Sequence, residues 1–258
     1  MSLNPKLKNW QGKRVWIIGA GHGIGAALAN ELHALGAELI LSGRTVSALQ
    51  AVADGKTRVS VLPMDAREPA AWQACYAALS QQNKVLDAVI FSLGAYTPTR
   101  TWQLNAAEID QVVSTNLSAV LYGIATVTPD LIKNKQGSLI LLASVAGWGG
   151  MHNSLVYGAT KAALQNLAQT LYLDLHPHGI GVYLINPGFV ATRLTAKNEF
   201  KMPALTSPKQ AAEQICYGLS QGKFEINFPK KFTCILRAIT LMPNRIYFWM
   251  MQKITGLS

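Results

Sequence analysis

Tyr157 and Lys161 stand four residues apart in VYGATKAAL (156–164), a stretch otherwise made of small and apolar residues. On a helix that spacing puts both side chains on one face. A phenol titrates near 10, and a neighbouring ammonium helps it exchange protons at neutral pH by stabilising the phenolate. The pair therefore suits proton transfer to or from an oxygen atom. Ser144, in LLASVAGWGG, offers a hydroxyl that can hydrogen-bond the same oxygen as charge develops there. Asn116, in VVSTNLSAVLYG, is a short amide in a helical pattern where it is a poor helix former. Singly, each has an ordinary explanation: a capping serine, a core tyrosine, a solvated lysine, an asparagine bonded to backbone. Their joint occurrence points to chemistry.

The surrounding pattern says how such residues would be positioned. Short apolar, β-branched runs at 14–19, 38–43, 58–63, 86–92, 137–143 and 181–187 read as strands buried on both faces. Amphipathic segments at 23–35, 45–53, 68–82, 106–133 and 155–177 read as helices between them, with a further helix near 207–221 and a strand at 224–228. Repeated βα alternation predicts one doubly wound α/β domain over residues 1–228, a parallel seven-stranded sheet with helices on both faces. Ligands bind such sheets beyond the carboxyl ends of the strands, which is where Ser144 falls.

The first strand runs into GAGHGIGAALANEL, which sets Gly19, Gly21, Gly23 and Gly25 around His22 and Ile24. Glycines at a strand-to-helix turn let backbone N–H groups and the positive end of the helix meet a pyrophosphate. The glycines follow Gly19-xxx-Gly23-x-Gly25, since the sixth position of the common dinucleotide fingerprint is Ile24. After the second strand stand Gly43, Arg44 and Thr45, with no acid to bind ribose hydroxyls. A guanidinium at Arg44 suits an adenine-ribose 2′-phosphate, so NADP(H) is expected over NAD(H). His22 adds charge to that patch, and Asp65 after the third strand suits either an adenine ring or a helix cap.

Composition bounds the alternatives. The chain has 258 residues, 50% hydrophobic and 14% charged, enough for a full core. Its net charge of +10 comes from scattered cations with clusters only at the two ends, and no zinc-finger or RNP-like signature accompanies them. Nucleic acid is therefore not the expected partner. Cys75, Cys216 and Cys234 are odd in number and lack metal-ligand spacing, which predicts a reduced, cytoplasmic protein without a metal site. His176 and His178 fit a helix C-terminus before Gly179.

In their order and separation, Gly19-xxx-Gly23-Ile24-Gly25, Asn116, Ser144, Tyr157-xxx-Lys161 and NPGFVAT (186–192) resemble the short-chain dehydrogenase/reductase family up to about residue 228. The resemblance implies a Rossmann-type fold and an NAD(P)-dependent oxidoreductase acting on an alcohol or carbonyl carbon. It implies that Tyr157 is the acid–base, Ser144 the partner of the substrate oxygen, and Lys161 the holder of the nicotinamide ribose. Asn116 would hold a water of a proton relay. Gly94 would approach the adenosine side, Pro187 and Gly188 would lie beside the nicotinamide with Ile185 near, and Thr192 would hold its carboxamide. Arg44 corresponds to the basic residue of NADP-preferring members. Two departures stand out: Phe91-Ser92-Leu93-Gly94 replaces the usual Asn-Asn-Ala-Gly, and Ile18 replaces a frequent Thr. Both are expected to alter local stabilisation and leave catalysis intact.

The loop 189–208 has the length of a lid, and Phe189, with Val145 and Met151 near Ser144, is expected to line an apolar substrate site; Tyr96 could line it too. Residues 229–258 form a basic, amphipathic extension split by Pro243, each half too short to span a bilayer. It can cap its own cleft, cover a neighbouring subunit of a homodimer or homotetramer, or lie on an anionic membrane as a peripheral contact. The leading reading is an NADP(H)-dependent reductase or dehydrogenase of a small, apolar carbonyl or alcohol. The competing one is a non-catalytic NADP-binding sensor or scaffold of the same fold.

Overall fold

Alternation within each strand builds the molecule outward from its sheet. In the computed structural model, which describes residues 2–82, 84–198, 200 and 202–255, seven parallel strands run in the order β3-β2-β1-β4-β5-β6-β7. They are β1 (Arg14–Ile18), β2 (Glu38–Ser42), β3 (Val59–Val61), β4 (Ala88–Phe91), β5 (Ser138–Leu142), β6 (Gly181–Pro187) and β7 (Glu225–Phe228). Val15 and Ile17 face one layer of helices, Trp16 and Ile18 the other, as a period of two requires. The helices α1 (Gly23–Ala34), α2 (Val46–Ala53) and α7 (Pro208–Ser220) cover the first side. On the second lie α3 (Pro69–Ser80), α5 (Ala119–Asn134) and α6 (Leu155–Leu175). The chain leaves β1 for β2 on one side and returns to β4 on the other, which opens a crevice at the carboxyl ends of the strands.

The helix expected over 106–133 is divided. It comprises α4 (Ala106–Val113), a π-helical turn (Ser114–Ser118) and α5. The run is long and apolar enough to cross a membrane by length and composition, yet α5 packs on α3 and α4 on α6. Trp16 binds the core through its ring, edge-on to Trp72 with centroids 5.3 Å apart, while its Nε1 donates to Ser42 Oγ at 2.8 Å. Phe91 packs against Trp72 at 6.0 Å. In place of a polar strand end, the core here gains an aromatic cluster.

Two flanking segments close the structure. Near the amino terminus, the buried Asn4 donates Nδ2 to Val182 O at 2.6 Å and accepts from Val182 N at 2.9 Å. After β7 come α8 (Lys230–Thr240) and α9 (Asn244–Thr255), meeting at Pro243. Both dock on their own chain. Arg237 lies over the Trp148 ring at 4.8 Å, Tyr247 donates to Gly150 O at 2.6 Å, and Phe232 meets Phe189 at 5.7 Å. Glu199 and Lys201 of the expected lid and residues 256–258 of the extension lie outside the described residues.

Candidate active site

A continuous cleft of about 330 Å³ runs from the glycine turn to the loop after β6. Its floor is the β1–α1 turn. A Cβ on Gly19 would collide with Ser92 O, and one on Gly25 with Gly19 O, so these two glycines let the turn, the β4 end and α1 close on one another. Gly25 therefore acts by packing and is not in the cleft wall, whereas Gly19, Gly21, His22, Gly23 and Ile24 are. No acid occupies the first turn of α1, and His22 at its N-cap forms no side-chain cap bond. The positive end of that helix thus faces the cleft without competition. Burial and, secondarily, Arg193 hold the His22 imidazole below its ordinary pKa.

At the far end of β2 the wall carries Gly43, Arg44 and Thr45, and beside them Asp65 and Arg67 from the loop after β3. Asp65 neither caps α3, whose N-cap is Glu68, nor stands free. Arg67 Nε reaches its Oδ1 at 3.0 Å and Nη2 its Oδ2 at 2.6 Å. This hydrogen bonding, with Arg44 adding to it, keeps the Asp65 carboxyl below the usual range although burial opposes it. Arg67 and Arg193, both in the wall, were not foreseen. The signal was present for each: Arg67 follows Asp65 by two residues, the spacing of an Asx turn, and Arg193 follows Thr192.

The chemistry-bearing end is assembled by β5 and α6. Gly147 lets the turn after β5 lie against α6, where any Cβ would meet the Lys161–Ala162 main chain at 2.6 Å. Gln165 Nε2 donates to Ser144 O at 3.2 Å and steadies the serine. Lys161 is only 2% exposed, and its Nζ donates to Leu142 O at 2.8 Å and Leu93 O at 3.3 Å. It lies 5.6 Å from the Tyr157 ring centroid. Burial drives the Tyr157 phenol up to about 12, opposed by the nearby Ser144 hydroxyl and reinforced by Tyr96. Burial also draws the Lys161 ammonium down to about 7. Burial thus outweighs the expected stabilisation of a phenolate by the ammonium, because Nζ is spent on main-chain carbonyls in a site removed from water.

Asn116 joins two segments of the site. It is fully buried in the π-helical turn, accepts from Ala95 N at 2.7 Å, and donates to Ala95 O at 3.0 Å and Thr160 Oγ1 at 3.1 Å. Thr160 in turn donates to Tyr157 O at 2.8 Å. The amide thus ties the loop after β4 to the turn of α6 that carries Tyr157. Gly94, Pro187, Gly188 and Thr192 stand in the wall, the last joined by Thr195, whose Oγ1 accepts from Thr192 N at 3.0 Å.

The three residues expected to line a substrate site are not in the wall of this cleft. Val145 belongs to a 3-10 turn that rolls it into the core, at 5% exposure. Phe189 is drawn away between Phe200 at 5.6 Å and Phe232 at 5.7 Å. Met151 follows Gly150, which the Tyr247 hydroxyl holds, and is not in the wall either. Tyr96 is the neighbour of Tyr157 instead, and its hydroxyl donates to Asn198 Oδ1 at 3.0 Å in the 189–208 loop.

A family model described as short chain dehydrogenase matches residues 13–202, the stretch that contains every strand from β1 to β6 and all four residues of the constellation. The chain belongs to this family: it is a short-chain dehydrogenase/reductase, an oxidoreductase that works with a nicotinamide cofactor. An uncharacterized oxidoreductase of Myxococcus xanthus (strain DK1622) is 29% identical over 90% of this chain and 93% of its own length. One from Staphylococcus aureus (strain MRSA252) is 32% identical over 80% of this chain and 90% of its own. Among solved structures, a short-chain dehydrogenase from Sphingobium yanoikuyae in complex with NADPH superimposes with a TM-score of 0.77 at 24% identity, covering 88% of this chain and 93% of that one.

Proposed function

We propose that the protein is an NADP(H)-dependent reductase or dehydrogenase of small apolar carbonyl or alcohol compounds. The carrying observation is that Ser144, Tyr157 and Lys161 share one cleft wall with the glycine turn and with Arg44. The fit for a dinucleotide rests on the uncapped α1 terminus and on the close-packed glycines beneath it. When bound, the nicotinamide supplies or accepts hydride.

The chain's own residues do the rest. Tyr157, held neutral by burial, has the proton that a carbonyl oxygen needs as it becomes an alcohol. Ser144 is a neighbour of that phenol in the cleft wall and would donate to the same oxygen. Lys161 is fixed by Leu93 and Leu142 and would bind ribose hydroxyls. Asn116 positions Tyr157 through Thr160. Arg44, with Arg67 beside it, supports NADP(H) over NAD(H), as does the absence of an acid in β2 beyond its first residue Glu38. The NADPH-bound neighbour is in keeping with that choice.

Exposed Leu121 and Tyr122 on α5 and Leu173 on α6 support a homodimer or homotetramer, and free thiols at Cys75, Cys216 and Cys234 support a reducing cytoplasmic setting. The test is turnover of a carbonyl and alcohol panel with each nicotinamide cofactor, followed by absorbance of the reduced ring. Turnover with NADPH that disappears in Tyr157→Phe is expected. Cofactor binding without turnover of any compound would favour the sensor or scaffold reading.

A further inference from the structure

The outward side of the carboxy-terminal extension takes no part in the cleft. Its inward side is engaged, with Thr233, Leu236, Ile239 and Tyr247 buried against the chain. Outward, Ile235, Leu241, Ile246, Phe248, Trp249 and Ile254 are exposed, Leu241 to 78% and Trp249 to 60%. Among them stand Lys230, Lys231, Arg237, Arg245 and Lys253, all exposed. No acidic residue follows Glu225 anywhere in the sequence. Large apolar groups gathered on a surface mark a binding face, and unrelieved positive charge sets the chemistry of its partner.

Three partners can be weighed by charge and shape. A second copy meeting this face through a two-fold axis would set five cations against five. A nucleic acid would satisfy the cations but leave the aliphatic side chains at 235, 241, 246 and 254 without a function. An anionic bilayer satisfies both, because phosphates meet Lys and Arg while Trp, Phe, Ile and Leu enter the acyl boundary. With 11 and 12 residues, α8 and α9 are too short to span a bilayer and suit lying along its surface.

We propose that α8 and α9 seat the protein on an anionic membrane surface. The same two helices touch both loops that flank the cleft: Arg237 covers Trp148, Tyr247 holds Gly150, and Phe232 packs on Phe189. Seating the extension thus holds the elements around Ser144 and Gly188 close beneath the bilayer, and makes lipid-dissolved carbonyl or alcohol compounds the substrate class. That substrate clause rests on the function proposed above; the membrane seat stands without it.

The experiment is co-sedimentation of the full chain with vesicles of phosphatidylcholine alone and of phosphatidylcholine mixed with phosphatidylglycerol. Binding to the mixed vesicles alone is expected, falling as salt is raised. It should weaken by about a hundredfold or more when Lys230, Lys231, Arg245 and Lys253 are all replaced by Gln. Trp249→Ser should weaken it by about tenfold. All five positions are exposed, and a melting temperature equal to that of the parent chain certifies each variant without reference to turnover. Equal binding to both vesicle types, no binding, or binding indifferent to these substitutions would overturn the proposal. So would lipid-free self-association abolished by Trp249→Ser, or retardation of duplex DNA with no vesicle binding. Substrate panels cannot decide it either way, so a failed function assignment is told apart from a failed membrane seat.

Discussion

The Tyr96 ring stands edge-on to the Tyr157 ring, with centroids 5.1 Å and planes 65° apart. Tyr96 is therefore part of what keeps water from the phenol that is proposed to move the proton. It is also fastened to the 189–208 loop, since Asn198 accepts from its hydroxyl and Lys197 Nζ donates to its carbonyl at 2.8 Å. The position of the 189–208 loop and the shielding of Tyr157 meet in this one residue. Tyr96→Phe should keep the ring and lose the Asn198 bond, raising KM severalfold with kcat little changed. Tyr96→Ala should admit water and bring the Tyr157 pKa down from about 12. The pH profile of kcat/KM checks it, with the alkaline limb moving to lower pH in Tyr96→Ala alone.

Lys161 makes a prediction about stability. Its pKa is near 10.4 in an unfolded chain and about 7 in the fold, so the folded state disfavours the proton. That penalty is complete below about pH 7 and fades as pH rises towards the unfolded value. Between pH 7 and 9 the cofactor-free protein should therefore gain stability relative to Lys161→Met, on the order of 1 kcal/mol per pH unit. Chemical denaturation of both chains across that range measures it; parallel curves would refute the buried ammonium.

Arg44→Ser should weaken NADPH binding by about tenfold to a hundredfold, the worth of a charge-assisted phosphate contact, and leave NADH binding nearly unchanged. Arg67→Ala should have a smaller effect on NADPH and also release Asp65 from its guanidinium partner. Titration calorimetry with both cofactors reads each change. Equal losses for NADH and NADPH would place Arg44 away from the 2′-phosphate.

Asn116→Ala strips three hydrogen bonds from a fully buried position and should cost about 2–3 kcal/mol of stability. Because Asn116 acts through Thr160 on Tyr157, kcat should fall more than the KM for cofactor rises. Asn116→Asp, which can still accept from Ala95 N, should recover part of both. Denaturant midpoints and steady-state kinetics together make the check.

Gly25→Ala drives a methyl group into Gly19 O at the base of the phosphate turn. A loss of about 2 kcal/mol or more is expected, with weakened dinucleotide binding, although Gly25 itself lies outside the cleft wall. Thermal melting and cofactor titration on the same variant separate the two effects.

The parallel sheet and its helices were readable because buried strands of Val, Ile and Leu separated by amphipathic segments leave few alternatives. The glycine turn, Ser144, Tyr157 and Lys161 were readable because their spacing maps directly onto one turn and one helix face. Contacts between distant loops were not. Nothing local says that Phe189 turns towards Phe200 and Phe232, nor that Tyr96 and not Met151 neighbours the phenol. The π turn at Asn116 was hidden for a related reason: helical periodicity over 106–133 looks continuous, and only the partners Ala95 and Thr160, from elsewhere in the chain, show why the amide is there. Arg67 was legible in principle, through its distance from Asp65, but a guanidinium near a carboxylate reads as surface until the fold sets both in a wall.

Asn4 bears on how the protein comes to be folded. Its amide closes on both main-chain groups of Val182, 178 residues further along, while Asn4 N bonds Gly222 O at 3.1 Å. Residues 4–7 are therefore synthesised long before anything they hold exists. During translation they must wait until β6 and the end of α7 have left the ribosome. Contacts of such sequence separation form slowly, so docking of the amino-terminal segment on β6 belongs to the last steps of folding.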